Sequence, residues 1–293
     1  MTKVRFAAAA LLTLVVAMGA VACGGSDNSS KDLLGSIEDK GTLTVSTDPA
    51  YPPQSSLNKK TGKYEGFDID VATEIAKRLG VGIAWQAPAW DTITAGNWNG
   101  RWDASVGSMT ITPERAKVLD FSQPYYYTPA AIAVYKDNTT IHGASDLNGK
   151  KIGVCGACTY DLYLQNKLEI AQDESGKPVK ISSVVKDPTI VTSDTDSTSL
   201  DALSLGDGRR LDAVISAQPT IQAAIDAGKP LKIVGQPLYF EPLAVAIDKS
   251  SSLDPTTLVT KVSDIVQEMH SDGTLSKLSK KWYGADLTVK ATQ

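Results

Sequence analysis

Histidine is nearly missing from this chain: among 293 residues there are only His142 and His270, and no cluster of acids or cysteines surrounds either. A histidine-built metal site and a Ser/His/Asp triad therefore have little to stand on, and no metal or cofactor is expected. A basic stripe is also absent; the formal net charge is -4, which argues against nucleic acid as a partner. Long apolar runs are limited to residues 6–18, too short to span a bilayer comfortably. Cysteine is rare as well, with Cys23, Cys155 and Cys158 the complete set. What remains, 42% hydrophobic and 21% charged residues, suits a soluble body of one large or two medium domains.

The N-terminus carries an address. Residues 1–22 read as a secretion signal, with Lys3 and Arg5 as the basic start before the apolar run. Losing those two cations takes the net charge of the exported part to -6. Ala20-Val21-Ala22-Cys23 resembles a lipobox, which implies a diacylglyceryl group on Cys23; cleavage without lipid is the other reading. Residues 23–40, opening with Gly24-Gly25-Ser26, read as a flexible tether between that anchor and a globular body. In an exported protein the remaining pair, Cys155 and Cys158, is expected to be oxidised. A redox-active CxxC is the sharper alternative, although thioredoxin-like flanks are missing.

Strand and helix signals then alternate. Gly41-Thr42-Leu43-Thr44-Val45-Ser46 reads as a first strand, leading into the stiff loop Thr47-Asp48-Pro49-Ala50-Tyr51-Pro52-Pro53. An amphipathic helix follows through Ala72, Ile75, Ala76 and Leu79 to Gly80, with Asp68 most simply its cap. Trp90 opens another helix, and residues 127–135 and 243–247 read as strands. Such alternation implies βα units, a mainly parallel sheet, and ligands at the C-terminal ends of strands.

The richest stretch is residues 102–127. Asp103-Ala104-Ser105-Val106 reads as a buried strand, Gly107, Ser108 and Thr110 as a turn, and Thr112-Pro113-Glu114-Arg115 as a helix start with Thr112 at the cap. A cation in a first helical turn opposes the helix dipole. Two readings of Arg115 stand: a surface residue paired with Asp120 or Glu114, or a two-pronged donor for an anion.

Gly107-Ser108-Met109-Thr110-Ile111-Thr112-Pro113-Glu114-Arg115, followed by Leu119-Asp120-Phe121-Ser122-Gln123-Pro124-Tyr125-Tyr126, resembles the core motif of the polar-amino-acid solute-binding proteins of ABC importers. The resemblance extends over nearly all of the chain beyond the tether. It implies an α/β, two-lobed periplasmic-binding-protein fold of type II, with lobe 1 over residues 41–135 and 241–293 and lobe 2 over 136–240. It also implies one small polar amino acid or related zwitterion held between the lobes, a transmembrane permease as partner, membrane association through the lipid anchor only, and a monomer.

By the same resemblance, Ser108, Thr110, Arg115 and Thr159 would hold the ligand's carboxylate, with Cys158 beside them. Tyr51 and Trp90 would sandwich the side chain, and Asp48 shares the loop of Tyr51. One departure matters. Where members that bind free amino acids place an aspartate against the ammonium, this chain has Ala217, followed by Gln218. An unpaired buried ammonium costs several kcal/mol, so Asp196 and Glu241 stand as substitutes, each equally readable as a helix cap or a hinge acid. Two other functions share the fold: a dehydratase of cyclic carboxylates, and a sensor that presents its ligand to a receptor.

Overall fold

A computed structural model describes residues 32–171 and 177–290. The leader, Cys23 and residues 24–30 lie outside the described residues. Among those described, the α/β expectation holds: nine strands form one sheet, in the order Thr189–Ser193, Lys151–Cys155, Ala213–Ala217, Tyr126–Tyr135, Leu231–Asp248, Ala104–Thr110, Thr42–Ser46 and Gly82–Gln86, with Leu119–Phe121 also paired to Leu231–Asp248. The outer strands of each half run parallel, and the two central strands run antiparallel to one another.

Two cores hang on those central strands. Val45, Phe67, Ile75, Val262 and Met269 belong to one; Ile132, Ile152, Val154, Tyr163 and Ile215 belong to the other. Tyr126–Tyr135 supplies Tyr126 to the first core and Ile132 to the second, while Leu231–Asp248 supplies Leu243 to the first and Tyr239 to the second. The first crossing therefore falls between Tyr126 and Ala130, earlier than Tyr135, where the sequence placed it. The reason is local: Ile132 and Val134 pack on one side and Ala131 and Ala133 on the other, so an unbroken apolar run conceals the point of crossing.

The tether expectation also needs correction at its end. Leu33–Lys40 is a helix, capped by Asp32, whose Oδ1 accepts from the Leu34 N–H at 2.9 Å, and closed by left-handed Gly41. Leu33 and Ile37, one turn apart, are buried in the first core with Leu258 and Val262. The body thus starts by Asp32 rather than at residue 41. The helix expected after Thr112 is cut short. After Thr112 there is a single 3-10 turn, Arg115–Lys117, because the strand Leu119–Phe121 begins almost at once. The helix after Cys158 runs Thr159–Leu164. No described helix is long and apolar enough to cross a membrane.

Candidate functional site

The site lies where the two halves of the sheet meet. The strand Thr42–Ser46 delivers the Asp48–Tyr51 loop, Ala104–Thr110 delivers Ser108 and Thr110, and Lys151–Cys155 delivers the turn to Thr159. Trp90, Arg115, Asp196 and the hinge residue Glu241 complete the lining. The lobes are closed on each other: Ser197 Oγ donates to the Ala50 carbonyl at 2.7 Å, Thr220 Oγ1 to Gln54 Oε1 at 3.1 Å, and the Tyr51 and Tyr160 hydroxyls stand 3.5 Å apart. Tyr51, carried by the first lobe, packs into the core of the second.

Arg115 is not a surface residue. It is 6% exposed, and neither Glu114 nor Asp120 is its partner: those acids meet Lys117 and Lys249. Thr112 Oγ1 accepts from its N–H at 3.2 Å, as the cap expectation had it, although the helix is one 3-10 turn. The guanidinium donates to the Thr110 carbonyl at 3.0 Å and, across the cleft, to the Ala157 carbonyl at 3.1 Å. Its Cζ lies 5.2 Å from the centroid of the Trp90 ring, so Trp90 supports the cation as well as walling the cleft. Burial pulls its pKa down to about 10, with Glu241 opposing that shift. The group stays charged at neutral pH.

The hydroxyls expected around a carboxylate find one within the protein. Thr110 Oγ1 donates to Glu241 Oε1 at 3.3 Å, Thr159 Oγ1 donates to the same oxygen, and Tyr160 OH donates to Glu241 Oε2 at 3.2 Å. Burial raises the Glu241 pKa, against the hydroxyls and Arg115, which lower it. Ser108 is held from behind. Its Oγ donates to Asp68 Oδ2 at 2.7 Å and meets Tyr126 OH at 2.6 Å, and its N–H donates to Tyr125 OH at 3.0 Å. Asp68 is therefore not the helix cap; Gly66 occupies that position, and the Asp68 carboxyl is wholly buried, bonded to Ser108 and Tyr125. Sequence reasoning missed this role because a cap and a buried anchor share the same Gly-Phe-Asp spelling.

Asp196 also departs from the capping reading. Thr195 caps the helix Asp196–Leu203, accepting from the Thr198 N–H at 3.2 Å, and Asp196 turns inward. It is 6% exposed, burial raises its pKa to about 7, and its Oδ1 has no hydrogen-bond partner among the described residues. Asp48, whose pKa is also raised by burial, lines the same cleft. Gln218 does not. It opens the helix Gln218–Asp226 and borders a separate groove with Pro53, Gln222 and Trp282, because the strand Ala213–Ala217 ends with Ala217 as the cap and the next residue points past the cleft. Tyr160 and Asp194 line the cleft without having been singled out; only their nearness to Thr159 and Asp196 hinted at it. Cys155 and Cys158 are bonded to one another on the wall, with Ala157 between them at φ +58.

The raised carboxyls set a pH dependence. Asp68 and Asp196, each raised by burial to about 7 in the fold from an ordinary 3.8, keep protons that the unfolded chain releases. Folding then takes up protons between those limits, so the stabilising contribution is complete below about pH 4 and is lost as pH rises through about 7. The melting temperature of the free protein should fall between about pH 5 and pH 8, and Asp68→Asn should flatten that slope, since its amide oxygen still accepts from Ser108 and Tyr125. An unaltered slope in the variant would mean that Asp68 is ionised in the fold.

Residues 43–285 match the family model of bacterial extracellular solute-binding proteins, family 3. The chain belongs to this family. The L-cystine-binding protein TcyJ of Escherichia coli (strain K12) is 34% identical over 276 residues, covering 92% of this chain and 93% of that protein. The L-cystine-binding protein TcyA of Bacillus subtilis (strain 168) is 31% identical over 285 residues, covering 94% and 97%. Among solved structures, the ancestral amino acid-binding protein AncCDT-1, a precursor of cyclohexadienyl dehydratase, aligns with a TM-score of 0.72 and 31% identity over 85% of this chain and 99% of its own. The two-lobed arrangement is accordingly the type II periplasmic-binding-protein fold.

Proposed function

We propose that this protein captures one free amino acid between its lobes outside the cytoplasm and delivers it to an ABC importer. The observation that carries the reading is the unpartnered, buried Asp196 oxygen sharing a closed cleft with the buried Arg115 guanidinium. Arg115 offers a two-pronged grip for the α-carboxylate, with Thr110 and Thr159 beside it. Asp196, with Asp48 and Glu241 near, replaces the acid missing at Ala217 as partner of the ammonium. Three carboxyls facing one guanidinium favour a ligand with a second positive group, the class that contains L-cystine and the basic amino acids. The L-cystine-binding relatives make L-cystine its first member to test.

Ligand contacts to both lobes exist only when the cleft is shut, so binding shifts the population toward the form a permease would meet. The leader, a lipid on Cys23 and a monomeric state complete the reading. Binding rather than catalysis is supported by the relatives' activities; dehydratase activity would show as product formed from prephenate or arogenate.

The test is thermal stabilisation of the exported chain by L-cystine, L-arginine, L-lysine, L-glutamate and N-acetylated amino acids. A true ligand at 100 Kd adds about 2.7 kcal/mol, a shift of roughly 5–11 °C for a chain of this size. Asp196→Asn should weaken that ligand about tenfold, the loss of one charge-assisted bond. A response to N-acetylated compounds or simple carboxylates alone would defeat the amino-acid assignment.

A further inference from the structure

The wall that closes on the ligand carries a disulfide, and its two sulfurs are unequally placed. Cys155 ends the strand Lys151–Cys155 and is 2% exposed, whereas Cys158 is half-buried on the cleft side before the helix Thr159–Leu164. Both line the same cleft as Arg115, Thr159 and Glu241. The two sulfurs and a carboxylate oxygen of Asp196 all lie within 4.8 Å of one another. A bonded pair placed only to stiffen a turn needs neither a ligand cleft in front nor a buried acid beside it.

The geometry points to the Cys155–Cys158 disulfide as an exchange site for a small thiol amino acid seated in the cleft. This rests on the reading of the cleft as an amino-acid site. The thiol, entering as thiolate, gives its electron pair to Cys158 Sγ, the sulfur open to the cleft. The Cys155–Cys158 bond breaks with its pair on Cys155 Sγ, and the proton that the entering thiol gave up on becoming thiolate returns to Cys155 Sγ, making it a thiol. The product is a cysteinyl adduct on Cys158. Attack by Cys155 on that adduct expels the thiol and restores the pair with no net redox change. Attack by a second thiol instead releases the symmetrical disulfide, the two thiols having been oxidised and the protein left as a dithiol. Opening the pair also frees Ala157, whose carbonyl receives the Arg115 bond across the cleft, so exchange is coupled to the contact that shuts the lobes.

In the exported chain, Cys155→Ser leaves Cys158 unable to re-form the pair and should trap the adduct. Incubated with L-cystine and mapped by mass spectrometry of peptides, this variant should carry a cysteinyl group on Cys158, at a rate that saturates with L-cystine and exceeds that of 2-hydroxyethyl disulfide by about tenfold or more, the advantage of a held reactant. Binding of L-cystine to the Cys155→Ser/Cys158→Ser double variant, read by calorimetry, separates the two claims. Binding there with no adduct on Cys158, or equal rates for both disulfides, overturns the exchange site while the amino-acid reading stands. No binding and no selective adduct overturns both for this ligand.

Discussion

Arg115→Ala is expected to weaken amino-acid binding by about 10- to 150-fold while the chain still melts cooperatively. A charge-assisted hydrogen bond contributes about 1.5–3 kcal/mol, and each 1.4 kcal/mol is a factor of ten. In the fold the guanidinium is buried, lies against Trp90, and bonds to carbonyls of both lobes, at Thr110 and Ala157. The substitution therefore removes the cation proposed to grip the ligand's carboxylate, together with one of the contacts between the lobes. Arg115→Lys should recover only part of the loss, because an ammonium keeps the charge without the planar fork. Titration calorimetry with the ligand found by thermal screening reads both variants; unchanged affinity in the alanine variant would remove Arg115 from the site.

Gly66→Ala should destabilise the fold strongly, by about 3 kcal/mol or more. Gly66 has φ +139 and ψ 175, a region that is essentially glycine's alone and costs other residues about 1–3 kcal/mol. A Cβ there would also stand 2.2 Å from the Gln54 carbonyl oxygen and 2.8 Å from Ser55 Cα, both backbone atoms that cannot swing aside. The strand Ser55–Asn58 and the helix Phe67–Leu79 would have to part, and with them Asp68, the acid that holds Ser108 in the cleft wall. The expected fall in melting temperature is about 6–12 °C. Gly80→Ala is the control: it is also left-handed, at φ +77, but an added methyl there meets nothing within 4 Å, so its loss should stay near 1 kcal/mol. Equal effects at the two positions would show that backbone conformation alone, without the collision, sets the cost.

How the fold and the site became legible differs residue by residue. Strong periodicity and end signals located the helix around Ile75, and the motif from Gly107 to Arg115 led to the cleft. Short-range spelling could not separate a cap from a buried anchor at Asp68, nor a cap from an inward-turned cleft acid at Asp196, because the same side chain serves both purposes and only its surroundings decide. The Gln218 expectation failed for a related reason: counting along a strand gives the next residue in sequence, whereas the start of a helix turns that residue away.

The α/β class, the presence of two lobes and the place of Arg115 beside the cleft follow from local pattern, since strand and helix periods and a motif are properties of neighbouring residues. Closure was decided by tertiary structure alone: Arg115 reaching Ala157, Tyr51 packing into the opposite core, Glu241 collecting hydroxyls from both lobes, and a disulfide brought beside Asp196. Those pairs are separated by tens of residues or more, and the interactions depend on distances and on the exclusion of water that exist only after the sheet has brought its halves together.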